Sequence, residues 1–147
     1  MFTHLLVPLD GSELFERVAE VSLALAGKLG ARVTAFVVEP PAPLPTMSSE
    51  AAIYARQSAE HEIRTAAHAQ DVLDKFRAKA APLGVSVDGH FARSEGIEDA
   101  IEHAAATYGC DLIVMITHGR GLFGELLFGS HTKKLLGRTR LPVLLLH

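Results

Sequence analysis

The sequence holds a single cysteine, Cys110, and no tryptophan. One cysteine excludes an internal disulfide, a CxxC redox pair and a cysteine-based zinc cluster. That suits a reducing compartment. Positive charge is not in excess either: 14 Lys and Arg stand against 17 Asp and Glu, for a formal charge of −3. No broad basic field is present to attract nucleic acid. Long hydrophobic runs are missing, and nothing approaches the roughly 20 residues that a membrane helix needs. The start, "MFTHLLVPLD", has no basic segment and no cleavage motif, which argues against a secretory signal. The expectation is a cytoplasmic protein with no nucleic-acid and no membrane partner.

What is present is core material. Apolar residues make up 48% of 147, enough for one domain spanning 1–147. "HLLVPL", His4 to Leu9, is a short apolar run stopped by the turn signal "DGS", and reads as a buried strand. Leu14, Val18, Val21 and Leu25 then recur at helical spacing. Ser12 or Asp10 can cap that helix and Gly30 can end it. "RVTAFVVE", Arg32 to Glu39, is a second strand rich in β-branched residues. From Pro40 to Met47 prolines exclude both helix and central strand. An alanine-rich helix follows from about Ser48 to Ala81, with Ile63, Ala67, Val72 and Phe76 as its apolar stripe.

"VSVDGHFA", Val85 to Ala92, alternates in the manner of an edge strand. Gly96 opens a helix with the stripe Ile97, Ala100, Ile101, Ala104 and Tyr108. "DLIVMI" is apolar on both faces. A glycine-rich stretch, a helix from about Ser130 to Gly137 and a last strand, "LPVLLLH", complete the chain. Strands alternating with helices, and strands apolar on both faces, predict an α/β fold. It is a single-domain, open, doubly wound sheet of five parallel strands with helices on both faces.

The stretch "THGRGLFGELLFGS" carries four glycines, and three readings of it compete. Gly119, Gly121 and Gly124 match a dinucleotide GxGxxG, but the strand that follows ends without the acid that would hold a ribose. Hydride transfer would require NAD binding, which is expected to be absent. A GxxxxGK[ST] loop occurs nowhere. The third reading joins Gly119 to Gly129 and Ser130. Gly119 follows a strand, and Gly129-Ser130 starts a helix, whose open N–H groups and positive dipole end suit a phosphate. Such a cradle would lie at the carboxyl end of a parallel strand, where α/β sheets bind ligands. Gly129-Ser130 as a plain helix start is the bland alternative.

Together "LLVPLDGSE", "VTAFVVEP", "DLIVMITHGRG", "LLFGS" and "LPVLLL" resemble the universal stress protein family over nearly the whole chain. The resemblance implies an adenine nucleotide alpha hydrolase-like fold with strand order 3-2-1-4-5. The family's nucleotide-binding branch carries Gly-x2-Gly-x9-Gly-Ser/Thr. This chain has Gly119-x9-Gly129-Ser130, with Ile116 at the first glycine position. By matching position, Asp10 is the carboxylate at the nucleoside end, and Val37 is the residue whose backbone reads adenine. Gly119, Gly129 and Ser130 hold phosphate, while Pro8 and Met115 line the pocket wall. His131 either donates to a phosphate or lies solvated. Asp10 is equally a candidate helix cap.

Ile116 has two outcomes. A positive φ there would strain a β-branched residue, whereas a negative φ would keep the backbone but add volume near the ribose or phosphates. The resemblance implies ATP or AMP as ligand, with Mg²⁺ accompanying ATP. It also implies a homodimer through the last strand, Leu141 to His147, an open apolar edge. The expected role is that of a stress-response sensor or regulator, with hydrolysis slow at most because no base or acid cluster accompanies the phosphate site. The alternative is a dimeric interaction module that Ile116 prevents from binding nucleotide. His118 reads as structural, Cys110 as a small core hydrophobe. His61 and His68, seven apart on one helix, lack a third metal ligand.

Overall fold

The structure is a computed structural model that describes residues 1–116 and 130–147, with the backbone alone for Ser130 and His131. The order is β1 (His4–Leu9), α1 (Phe15–Leu29), β2 (Arg32–Glu39), α2 (Ala51–Ala80), a 3₁₀ turn (Ala81–Leu83), β3 (Val87–Arg93), α3 (Ile97–Tyr108), β4 (Leu112–Ile116), α4 (Ser130–Arg138) and β5 (Val143–Leu146). The strands form one parallel sheet in the order β3-β2-β1-β4-β5. The expected fold class and strand order are therefore found.

Alternation along each strand divides the core into two layers. Leu5, Val7, Val33, Ala35, Val37 and Val114 pack with α1 and α2. Leu6, Phe36, Ile113 and Met115 pack with α3 and Leu135 of α4. Side chains such as Leu5, Leu6, Leu73, Phe76 and Ile101 lose all exposure, and each such burial contributes about 1.5–3 kcal/mol.

Several helical details differ from expectation. α1 starts at Phe15, after Leu14, and no side chain caps it. Asp10 and Ser12 shape the preceding turn instead. The α1 core face is Phe15, Val18, Ala19, Ser22, Leu23 and Ala26, leaving Val21 and Leu25 half-buried at its border. On α2 the buried line is Thr65, Ala69, Val72, Leu73, Phe76 and Ala80. Ile63 is 72% exposed and Ala67 also faces outward. Alanine at many positions leaves the stripe poorly marked, and a threonine occupies one of its places. β3 begins at Val87 and is an edge strand as expected. Cys110 is buried in the α3/α4 layer, where burial pushes its thiol pKa up.

Candidate functional site

β1 is the central strand, and its two neighbours accompany it to different points. Its register with β2 runs to Leu9↔Val37. Its register with β4 covers Leu5↔Leu112 and Leu6↔Ile113. Pro8, two residues on, has no N–H with which to continue a ladder. The chain also switches faces here: α1 and α2 cover one side, α3 and α4 the other. A parallel sheet opens a crevice at such a point, outside the carboxyl ends of its strands.

The loop after β1 occupies this position. Gly11 has φ +72°, a conformation that glycine adopts without strain. A Cβ there would also lie 3.0 Å from Val72 Cγ2 and 3.2 Å from His68 Nε2. The Ser12 N–H donates to Asp10 Oδ1 at 2.9 Å. The Leu14 N–H donates to Ser12 Oγ at 3.3 Å. These bonds fix the Asp10 carboxylate without using its second oxygen. Asp10 Oδ2 is buried and has no hydrogen-bond partner among the described residues. A buried acceptor left unpaired costs about 1–3 kcal/mol, so a donor arriving from a ligand would be well received.

Asp10 lines a narrow cleft of about 10 Å³, room for about one water, together with Pro8, Phe36, Val38, Ile97 and Ile101. The walls are apolar, with the carboxylate at one end, a common composition for a small-molecule site. Pro8 and Asp10 thus line the same cleft. Val37 is in register with both Leu9 and Phe91, and its side chain lies in the α1/α2 layer. Its neighbours Phe36 and Val38 supply the walls. Met115 is buried on the same side as Phe36, in the α3/α4 layer. Phe36, Val38, Ile97 and Ile101 are not singled out for the site by sequence alone. Period-two alternation around Val37 is the signal that could have found the first two.

No described residue other than glycine has a positive φ, so Ile116 is not in the strained conformation. It is 5% exposed, pairs in register with Leu146 and packs in the α1/α2 layer. Its side chain therefore lies on the opposite face of the sheet from the Phe36–Ile101 cleft. Gly119 and Gly129, like His118, Gly121 and Gly124, lie outside the described residues. Ser130 opens α4 as expected, with His131 in its first turn. Further along that helix Thr132 is fully buried, and its hydroxyl has no partner among the described residues. Lys134 Nζ lies 3.7 Å from the buried Glu98 carboxylate, tying α4 to α3.

The opposite edge of the sheet is more completely bonded. Asp111 accepts from the Thr3 and His4 N–H groups at 2.9 and 3.0 Å and from the Thr3 hydroxyl at 3.0 Å. Desolvation works to raise this carboxyl, but those hydrogen bonds hold its pKa below the ordinary value. His4 Nε2 meets Thr34 Oγ1 at 2.7 Å. Burial, with the Arg32 charge adding to it, lowers the His4 pKa from 6.5. No group of three metal-ligating side chains occurs among the described residues, and none of their helices is long and apolar enough to cross a membrane.

Comparison with known proteins agrees with this architecture. The universal stress protein family model matches residues 1–147. A Thermus aquaticus universal stress protein, from the 3′ region of a QAH/OAS sulfhydrylase gene, is 33% identical and is covered to 98%, against 99% of this chain. A solved universal stress protein family structure from Burkholderia pseudomallei is similar at TM-score 0.73 and 26% identity, over 99% of this chain and 96% of that one. A family member from Arabidopsis thaliana, solved with AMP bound, is similar in fold at TM-score 0.63 and 17% identity, over 98% and 90% of the two chains. With its sheet order, its cleft and a family match along its full length, the chain belongs to the universal stress protein family.

Proposed function

We propose that this protein binds an adenine nucleotide, ATP or AMP, at the carboxyl edge of its sheet and acts as a stress-response sensor or regulator. The observation that carries the reading is Asp10 Oδ2, a buried acceptor without a partner among the described residues, at one end of an apolar cleft. A ribose hydroxyl or a base amine supplies the donor it lacks. The base packs against the mouth of the cleft that Phe36, Val38, Ile97 and Ile101 line, beside the backbone of Val37, and the narrow cleft widens to admit it. The phosphates point toward the start of α4, where Gly119, Gly129, Ser130 and His131 are the proposed contacts, and Mg²⁺ accompanies ATP. AMP in the Arabidopsis relative supports the ligand class. Hydrolysis is slow at most. The protein is cytoplasmic and pairs with a second copy through β5, whose Leu144 is 38% exposed.

Calorimetric titration with ATP, ADP and AMP tests this directly. Binding of at least one is expected, and no heat with any of them at millimolar concentration would remove the nucleotide claim. A monomer at micromolar concentration would remove the dimer. The second reading is a dimeric interaction module without nucleotide, favoured by Ile116 in place of the family's first glycine, although its side chain packs in the α1/α2 layer and not in the cleft. Ile116→Gly discriminates. Nucleotide binding gained in that variant and absent from the parent would establish the second reading. Because Ile116 is buried in the α1/α2 layer, the variant is also expected to lose about 3–5 kcal/mol of stability.

A further inference from the structure

Val38 and Ile97 line a second space as well as the cleft. It is a groove of about 340 Å³ walled by residues 40–43 on one side and by Ser94 and Glu95 on the other. The Pro-rich segment is therefore the outer wall of the same crevice. Prolines cannot donate to a ladder, so the sheet has little hold on this wall. The first half of α2 does not anchor it by burial: residues 51–64 contain no buried residue.

A polar seam is in place instead. His61, Thr65 and His68 stand at i, i+4 and i+7, along one face of α2. His61 Nε2 donates to the Pro40 carbonyl at 2.8 Å. Arg64 Nη2 donates to His61 Nδ1 at 3.3 Å, which assigns the ring proton to Nε2. His68 Nδ1 donates to Glu39 Oε1 at 2.5 Å, and that carboxylate belongs to a residue only 6% exposed. Between them, Thr65 Oγ1 accepts from Arg93 Nε at 3.0 Å, while Arg93 Nη2 donates to the Glu62 carbonyl at 2.7 Å. Two consecutive residues, Glu39 at the end of β2 and Pro40 just beyond, are thus each fastened to α2 by a histidine.

We propose that His61 and His68 are positioning residues that hold residues 40–43 as the outer wall of the nucleotide cleft. The proposal rests on the nucleotide reading above. A wall held in place before the ligand arrives spares binding the entropy of ordering it. The histidines touch no ligand themselves and act through Glu39 and Pro40.

The test compares the parent, H61A/H68A and H61Q/H68N by amide hydrogen exchange and by calorimetry with AMP. Gln keeps a donor near the His61 Nε2 position, and Asn keeps one near the His68 Nδ1 position. The alanine pair is expected to speed exchange in residues 40–64 about tenfold while leaving residues 69–80 unchanged, and to weaken AMP binding about tenfold. The Gln/Asn pair is expected to restore both. Unchanged exchange in residues 40–64 overturns the clasp. Faster exchange with unchanged AMP affinity overturns its role at the cleft. Should the double variant unfold, His61→Ala alone gives the same two readouts from an exposed contact. A parent that binds no nucleotide overturns the nucleotide reading, and the exchange result still decides separately whether the histidines hold the segment.

Discussion

Asp111 and Asp10 stand at opposite edges of one sheet, and their hydrogen bonding differs. Asp111 at the amino edge spends both oxygens on Thr3 and His4. Asp10 at the carboxyl edge gives one oxygen to Ser12 and keeps the other buried without a partner among the described residues. Both follow or precede a strand, and both are carboxylates in turns. The first fastens the beginning of β1 to the beginning of β4. The second sits where the described pairing of β1 with β4 has ended. A carboxylate whose acceptors are satisfied by the chain is a stability element, whereas an acceptor without a partner among the described residues is the feature on which the proposed ligand contact rests.

The contrast can be broken by exchanging what each acid does. Asp10→Ala is expected to weaken AMP about 10- to 100-fold, the range for losing hydrogen bonds to a charged group. Thermal stability should change little, because the loss of the Ser12 N–H bond to Oδ1 is offset by removal of a buried Oδ2 that has no partner among the described residues. Equal AMP affinity in Asp10→Ala and the parent would sink the assignment of the carboxylate. Asp111→Ala is expected to do the reverse, costing about 1–3 kcal/mol in denaturant unfolding with AMP affinity unchanged. A loss of affinity there would mean that the two edges are not independent.

Gly11→Ala probes the hinge of the Asp10 turn. A φ of +72° and the approach to Val72 and His68 predict a loss of about 1–2 kcal/mol, with AMP weakened as Asp10 shifts. Gly30→Ala has a positive φ but no atom within 4 Å of its Cβ. It should cost a similar amount of stability with no change in affinity.

The smallest effect is a pH dependence at the amino edge. The His4 pKa is lowered in the folded protein from its ordinary 6.5. Above that value both folded and unfolded chains carry neutral His4, and it contributes no pH dependence. As pH falls below 6.5, the unfolded chain takes up the proton first and stability declines. The decline ends once pH passes the lowered folded value. Asp111 has the same sign at lower pH: its depressed pKa gives stability above the unfolded carboxylate value that is lost as pH falls through the folded value. A His4→Gln variant should flatten the upper part of the melting-temperature profile, and an unchanged profile would show that His4 does not titrate with folding.

Much of the sheet is legible in the sequence. The apolar runs place β1 at His4–Leu9 and β2 at Arg32–Glu39, the bounds that the folded chain has. Runs apolar on both faces belong in a parallel sheet, and their ends carry turn residues. The helices are less legible for a physical reason. In α2, alanine satisfies exposed and buried places alike, so Ile63 draws the stripe to the wrong side while Thr65 is buried. At the site, Pro8 and Asp10 are legible through the family resemblance of "LLVPLDGSE". Phe36, Val38, Ile97 and Ile101 are not, because they meet only when α3 lies across β1 and β2.

Local pattern alone, without the family resemblance that places Asp10 at the crevice, suffices for the strands and the fold class, since periodicity records which side a residue presents. It cannot assign partners. That Asp10 Oδ2 is left without one among the described residues, that Ile116 joins the α1/α2 layer rather than the cleft, and that His61 and His68 reach Pro40 and Glu39 across 21 and 29 residues of chain all depend on how helices pack over the sheet. Those contacts are long-range, and only the assembled layers bring their atoms within hydrogen-bond or van der Waals distance.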